Sequence, residues 1–93
     1  MYTMNNRTLK DLLYEQVARV GKALASPKRL EMLEMLAQGE KSVEAVAEAV
    51  AVDIKLASAH LKALKEARLV QSRRDGKRML YRLSGQDVAQ LGV

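Results

Sequence analysis

Apolar residues recur every three or four positions in the first quarter of the sequence. Their spacing predicts an amphipathic helix over residues 8–25, with an apolar stripe that is long for so small a protein. The stripe comprises Leu9, Leu12, Leu13, Val17, Val20 and Leu24. Ser26 and Pro27 then predict the start of a second helix, since serine caps free N–H groups and proline fits the first helical position. Gly39 is expected to end this helix.

Two shorter helices are predicted in the middle of the chain. Ser42 can cap a helix over residues 43–50, and Asp53 can cap another over residues 54–67. In the second of these, the inward positions are Ala57, Leu61 and Leu64, and the outward positions are Lys55, Ser58, Lys62 and Lys65. About three residues separate the two helices, which is the arrangement of a helix-turn-helix.

The period of the pattern changes after residue 68. Residues 69–73 and 78–83 are strand-like runs around Asp75-Gly76, a dipeptide that favours a two-residue hairpin turn because both positions tolerate positive φ. Ser84 and Asp87 resemble a capping box that opens a short fifth helix. The expected fold is mainly α, with about five helices and a two-stranded wing, in the order of a winged helix-turn-helix. It forms a single domain over residues 1–93.

Length and composition narrow the function classes. The chain has 93 residues and no cysteine, which excludes a disulfide scaffold, a thiolate zinc site, a thiol redox switch and a cysteine nucleophile. The amino end lacks the apolar core of a signal peptide, and the longest apolar run is residues 49–52. We therefore expect a cytoplasmic protein without membrane contact. Because so small a domain is marginally stable alone, we also expect an oligomer.

The net charge of +5 is concentrated in one third of the chain. Residues 53–83 carry nine basic and three acidic side chains, whereas residues 27–52 carry three basic and five acidic ones. This asymmetry favours a surface that binds a polyanion such as nucleic acid, although a merely solvated surface has the same composition.

The predicted fourth helix and the hairpin supply the candidate DNA contacts. A helix about 12 Å across fits the major groove and presents its outward residues to bases and phosphates. Arginines at a hairpin tip can clamp phosphates or enter a narrow minor groove. The candidates are Lys55, Leu56, Ser58, Ala59, His60 and Lys62 on the helix, and Arg73, Arg74, Lys77 and Arg78 on the hairpin.

Several of these residues have a second interpretation. Leu56 either contacts a thymine methyl group or is a solvent-exposed or peripheral core residue. His60 is either a partly buried packing residue or a phosphate or base contact, and the chain has no second histidine to complete a metal site with it. The hairpin charges either bind DNA or are solvated. Lys28 and Arg29 are weaker candidates for contacts to the DNA backbone.

Nothing in the sequence indicates an enzyme. Acidic residues occur at ordinary helix-surface spacing, and there is no GxGxxG motif, phosphate-binding loop or paired-carboxylate arrangement. We therefore expect no catalytic residue, no bound metal and no cofactor.

The segments LASPKRLEMLEMLAQGEKSVEAVAEAV and SAHLKALKEARLVQSRRDGKRMLYRL contain the most distinctive motifs of the chain. The most specific are Leu-Ala-Ser-Pro-x-Arg-Leu at residues 24–30, Ser58-x-His60-Leu61, and Arg68-Leu69-Val70. Together they resemble the winged helix-turn-helix repressors of the ArsR/SmtB family over residues 20–84.

The resemblance implies a homodimer built from the first and last helices, with a recognition helix over residues 54–66. The two recognition helices of such a dimer can lie about 34 Å apart, which is one turn of duplex. The implied target is therefore double-stranded DNA with an imperfect palindrome overlapping a promoter. The implied dimer residues are Leu9, Leu12, Leu13, Val17, Val20, Val88 and Leu91.

The sequence departs from the family pattern at several positions. Ser42 and Glu44 stand where many members have metal-binding cysteines, and Ala51 and Arg68 replace glycines of the usual pattern. The expected function is thus a dimeric repressor released by a signal other than thiol-bound metal, with the inducer unidentified. The alternatives are a winged-helix module that binds another protein and an architectural DNA binder without sequence preference.

Overall fold

The computed structural model describes residues 6–85 of the chain, and within this range it contains four helices and three strands. The elements are, in order, α1 (Asn6–Leu24), α2 (Pro27–Ala37), β1 (Lys41–Ser42), α3 (Val43–Ala49), α4 (Ile54–Glu66), β2 (Val70–Asp75) and β3 (Arg78–Leu83). This is the mainly helical, winged helix-turn-helix architecture that the sequence predicts. The predicted fifth helix, with Val88 and Leu91, lies outside the described residues.

The three predicted helix caps are confirmed. Ser26, Ser42 and Asp53 are extended residues directly before α2, α3 and α4. Each side-chain oxygen accepts a hydrogen bond from the backbone N–H three residues later, at 3.3, 3.1 and 2.7 Å respectively. Because the cap fixes where each helix begins, it also fixes which residues of that helix face the core.

The core lies where α2, α3, α4 and the sheet meet. Its largest fully buried side chains are Met32, Leu36, Leu61, Leu64, Val46 and Val70. Helix α1 contributes little to this core, since only Ala23 of that helix is buried and Val20 packs against it while partly exposed. None of the helices within residues 6–85 combines the length and apolar character that a bilayer-spanning segment needs.

The sheet has one more strand than predicted and a turn shifted by one residue. Its order is β1-β3-β2, with all pairs antiparallel, and the two-residue strand β1 pairs Lys41 with Tyr81. Asp75 pairs with Arg78, so the turn residues are Gly76 and Lys77, and the predicted turn at Asp75-Gly76 was wrong. Gly76 has φ 63°, which is what a type II′ turn requires at its first central position.

Helices α3 and α4 both end in a Schellman motif without the usual glycine. Ala51 and Arg68 adopt φ of 60° and 65°. The next residue closes each motif: Val52 N–H donates to the Ala47 carbonyl and Leu69 N–H to the Leu64 carbonyl, both at 3.0 Å. A side chain is disfavoured at such a φ, so these two positions carry backbone strain.

Replacing either strained residue by glycine is expected to stabilise the protein. The left-handed conformation costs a non-glycine residue about 1–2 kcal/mol, and the greater freedom of glycine in the unfolded chain offsets about 0.4–1 kcal/mol of that. Ala51→Gly and Arg68→Gly should therefore each raise the free energy of unfolding by about 0.5–1 kcal/mol. Urea unfolding at fixed protomer concentration measures the change.

The matched control is Ala45→Gly. Ala45 is an exposed residue inside α3, where glycine should lower stability by about 0.5–1 kcal/mol. If all three glycine variants shift stability in the same direction, strain at residues 51 and 68 is not the cause.

Candidate nucleic-acid interface

Helix α4 presents a polar face to solvent because its apolar residues are spaced for one side only. Ala57, Leu61 and Leu64 are all fully buried. The opposite side is exposed and contains Lys55, Ser58, Ala59 and Lys62. Neither lysine forms a hydrogen bond or ion pair within residues 6–85. Four of the six sequence-predicted residues of this helix therefore lie together on one accessible, positively charged surface.

Leu56 lies at the amino-terminal edge of the same surface. It is 43% exposed, and Ile54, the first residue of the helix, is 52% exposed. This exposure excludes a core position for Leu56, whereas a solvent-exposed residue and a contact with a thymine methyl group both fit it. Two apolar side chains in the first turn of α4 leave this end of the helix suited to contact with a thymine methyl group.

His60 is held by Arg29 of α2. The Arg29 Nε–H donates to His60 Nδ1 at 3.0 Å, so the imidazole accepts at Nδ1 and carries its proton on Nε2. Partial burial lowers the pKa of His60, and the neighbouring Arg29 charge lowers it further. At neutral pH the histidine is therefore an uncharged packing residue between α2 and α4, with its Nε2–H still able to donate.

This contact predicts an acid-dependent loss of stability. The folded-state pKa of His60 lies below its usual value near 6.5, so the favourable interaction is complete above about pH 6.5 and is lost as pH falls through the lower folded-state pKa. In His60→Gln, the amide oxygen can accept from Arg29 without titrating. Urea midpoints between about pH 5 and 7.5 should show the wild type losing stability relative to this variant toward acid. Parallel curves for the two proteins would exclude the effect.

Lys28 and Arg29, the weaker candidates, are both engaged inside the protein. Lys28 Nζ donates to the Val50 carbonyl at 2.6 Å and lies 3.3 Å from Glu31. Arg29 is bonded to His60. Because both side chains have partners inside the protein, neither is as available for DNA as Lys55 and Lys62.

The wing arginines divide into paired and unpaired ones. Arg73 donates twice to Glu40, from Nε at 2.9 Å and from Nη2 at 2.7 Å. This hydrogen-bonded pair lowers the pKa of Glu40 and raises that of Arg73. Arg78 lies 3.9 Å from Asp75. Arg74 and Lys77 are exposed and form no ion pair within residues 6–85, so they are the most available cations of the hairpin.

Glu40 anchors the wing to the rest of the domain. It lies in the connection between α2 and β1 and contacts Arg73 of β2 and Arg82 of β3, the latter at 3.8 Å. A second contact joins the wing to α4, because Lys65 Nζ donates to Ser72 Oγ at 2.8 Å. These contacts set the hairpin's position relative to α4. Sequence reasoning missed Glu40, whose partner Arg73 is 33 residues away.

The predicted dimer residues of α1 form an uncovered apolar stripe. Leu9 and Leu12 are each 49% exposed, Leu13 is 56% and Val17 is 68% exposed. Val20 differs, since it packs partly against the core of its own protomer. Val88 and Leu91 lie outside the described residues, so their place in an interface stays a prediction. Within residues 6–85, no three His, Asp or Glu side chains are grouped so that they could hold a metal ion.

A capped helix, a short turn, an exposed basic helix and an anchored hairpin define a winged helix-turn-helix protein of the kind that binds DNA. Residues 26–72 match the family described as "Bacterial regulatory protein, arsR family". The chain belongs to this family, as its sequence motifs suggested.

Two curated relatives come from Mycobacterium tuberculosis (strain ATCC 25618 / H37Rv). The HTH-type transcriptional regulator Rv0324 is 55% identical over 82 residues, which are 88% of this chain and 36% of the relative. The regulator KmtR is 43% identical over 77 residues, covering 83% of this chain and 59% of the relative. The chain therefore spans only about a third and three fifths of these two proteins.

Solved structures show the same fold. The solution structure of the homodimeric winged helix-turn-helix DNA-binding domain of Mb0332 from Mycobacterium bovis has a TM-score of 0.80 and 52% identity, covering 98% of this chain and 82% of that one. The crystal structure of Rv0081 from M. tuberculosis has a TM-score of 0.72 and 35% identity, covering 85% and 80%. The related structure from M. bovis is thus a homodimer with this architecture.

Proposed function

We propose that this chain binds double-stranded DNA as a homodimer and represses transcription at an imperfect palindrome. The observation that carries the proposal is the exposed face of α4, where Lys55 and Lys62 flank Ser58 and Ala59 without internal partners. Membership of the arsR family and the homodimeric DNA-binding relative support it. The DNA sequence that the protein selects would identify the operator and, through it, the regulated genes.

The α4 face carries side chains for both affinity and base recognition. Lysine can neutralise a phosphate or donate to guanine, serine can donate or accept at any base, and alanine can contact a thymine methyl group. Because Lys55 and Lys62 are about two turns apart on one face, they span the bases that Ser58 and Ala59 would read. Arg74 and Lys77 of the wing would bind the flanking backbone.

A homodimer explains why the target is expected to be twofold symmetric. Two identical recognition helices about one duplex turn apart contact two half-sites of opposite orientation. Occupation of such a site within a promoter would exclude the polymerase. These 93 residues contain no cysteine, so they supply no thiolate ligand for a metal signal, and we propose that release comes from an organic ligand, a partner protein or a sensing domain outside these residues.

Selection from a randomised duplex pool tests the proposal. The purified protein is incubated with the pool at about 150 mM salt, where weak non-specific contacts are suppressed, and bound duplexes are sequenced. A recovered twofold-symmetric motif would support specific dimeric binding. Recovery of DNA without a motif would favour the architectural alternative.

The salt dependence of affinity separates DNA binding from the protein-interaction alternative. A dimer that neutralises several phosphates should lose affinity steeply between about 50 and 200 mM salt. If no duplex is recovered at either salt, the exposed stripe on α1 favours a module that binds another protein. In that case the DNA proposal is wrong.

A further inference from the structure

An open groove separates α1 from α2 and α4. Its lining includes the small residues Ala18 and Ala23 of α1 and Ala63 of α4, and the groove has a volume of about 790 Å³. Small-molecule sites in proteins commonly have volumes of about 300–1,000 Å³. The groove adjoins the outward face of α4 at its carboxyl-terminal end, since Glu66 lies one helical turn after Lys62.

The walls of the groove carry five charged side chains that do not pair with one another. The cations are Arg19, Lys22 and Arg29, and the anions are Glu15 and Glu66. Within residues 6–85, no ion pair joins any two of these five. The hairpin is different, since its Arg73 is paired with Glu40 at 2.7 Å. Cations that line a concave surface without internal counter-ions are available to an external anion.

Arg29 is oriented for such an anion. Its Nε–H is committed to His60 Nδ1 at 3.0 Å, and this bond fixes the plane of the guanidinium. The terminal Nη groups form no hydrogen bond within residues 6–85. A fixed guanidinium with free terminal N–H groups matches the two oxygens of a carboxylate or phosphate.

We propose that this groove binds a small organic anion through a carboxylate or phosphate group held by Arg29 and Lys22. Glu15 and Glu66 place a second requirement on the ligand. Because ionised carboxylates only accept hydrogen bonds and repel further negative charge, the part of the ligand that faces them must donate hydrogen bonds and carry no negative charge. The ligand class is therefore a compact hydroxylated anion that offers hydroxyl donors to these two carboxylates. A polyanion such as DNA does not fit this groove.

Binding in the groove would act on the recognition helix through Arg29. The guanidinium that holds the ligand also holds His60 of α4, and the same groove is walled by α1, which carries the apolar stripe. An anion held by the Nη groups shares one guanidinium with His60, so its binding alters the strength of the Arg29–His60 bond and with it the support of α4. This regulatory step rests on the proposed DNA-binding function, whereas the binding site itself does not.

Titration of ¹⁵N-labelled protein tests the site without DNA. The probes are glycerate, which carries a single carboxylate and hydroxyl donors, and inorganic phosphate, with sodium chloride at matched ionic strength as reference. Saturable shifts of the Ala18 and Ala63 amides and of the His60 ring with glycerate or phosphate support the site, and the stronger probe identifies the preferred group. Shifts that follow ionic strength alone, or that occur only on the Lys55 and Lys62 face, would overturn it.

Two groove variants and one control make the assignment specific. Arg29→Gln should weaken the anion's binding at least about tenfold, as expected for loss of a charge-assisted contact. Lys22→Gln tests the site without disturbing a structural contact, since Lys22 is exposed and unpaired within residues 6–85. Lys10→Gln removes an equal charge from α1 outside the groove and should leave binding unchanged. Equal weakening by Lys10→Gln would contradict the proposal.

Fluorescence anisotropy with the selected duplex tests the coupling. The bound anion should lower DNA affinity in the wild type more than sodium chloride does at equal ionic strength, and Lys22→Gln should reduce this difference. If the anion binds but DNA affinity follows ionic strength alone, the regulatory step is wrong while the site stands. If no duplex binds at all, the proposed function fails and the titration still decides the site.

Discussion

Replacing both Lys55 and Lys62 with glutamate is expected to abolish specific DNA binding without unfolding the domain. Both side chains are exposed on α4 and form no contact within residues 6–85 that the fold requires. The double variant places two negative charges per protomer, hence four per dimer, where the proposal places phosphates and base edges. Affinity for the selected duplex should fall by about a thousandfold or more near 150 mM salt.

The expected loss is large because repulsion replaces attraction. Each neutral substitution of a phosphate-binding lysine removes roughly one unit from the slope of log affinity against log salt. Charge reversal adds like-charge repulsion in a groove that is lined by phosphates on both sides. Anisotropy titrations at several salt concentrations measure both the affinity and the slope, and circular dichroism with urea unfolding checks that the fold persists.

The charge-matched control is Arg7→Glu with Lys10→Glu. Both residues are exposed on α1, and the pair changes the net charge by the same amount at a distance from α4. This control should retain most of the affinity. A similar loss in both double variants would mean that net charge, rather than the α4 face, governs binding. Undiminished affinity in the α4 variant would refute the placement of the recognition face.

The elements that local chemistry determines could be predicted from sequence. Ser26, Ser42 and Asp53 cap their helices because the cap bond joins residues only three apart. The inward face of α4 followed from helical period, since Ala57 and Leu61 are one turn apart. The same period placed Lys55 and Lys62 on the outer face, so the central part of the candidate interface was accessible to sequence reasoning.

The parts that depend on distant residues could not be predicted. Glu40 meets Arg73 across 33 residues of chain, and Arg29 meets His60 across 31. Strand β1 has only two residues and exists because β3 offers an edge to it. The predicted position of the hairpin turn was wrong for a related reason. The pairing of Asp75 in β2 with Arg78 in β3 sets the register of the two strands, and this register places the turn at Gly76 and Lys77.

These long-range contacts change the interpretation of charge in the hairpin. From sequence, Arg73 and Arg74 are equivalent neighbours, but alternation along β2 turns them to opposite faces of the sheet. The face of Arg73 meets Glu40, whereas Arg74 remains exposed and unpaired within residues 6–85. A count of basic residues therefore overestimates the charge that the wing offers to DNA. The assignment of Arg73 as a DNA contact stays a prediction.

Lysine substitutions in the α1 stripe are expected to convert the dimer to a monomer. Leu13 and Val17 are 56% and 68% exposed in the isolated protomer, and burial of such side chains against a second copy supplies the proposed association. Leu13→Lys with Val17→Lys would place charged groups in that apolar contact, near their symmetry copies. The dimer dissociation constant should rise at least about a hundredfold, as for loss of a central interface contact, which sedimentation velocity measures.

The choice of lysine separates dimerisation from electrostatics in the DNA assay. Added positive charge by itself strengthens attraction to DNA, so a fall in affinity must come from loss of the second recognition helix, with an expected loss of about a hundredfold or more. Asp11→Lys is the control, since Asp11 is exposed on the opposite side of α1. It should leave the protein dimeric. If the stripe variant stays dimeric, the interface does not depend on Leu13 and Val17, and the proposed contact between the two α1 stripes is wrong.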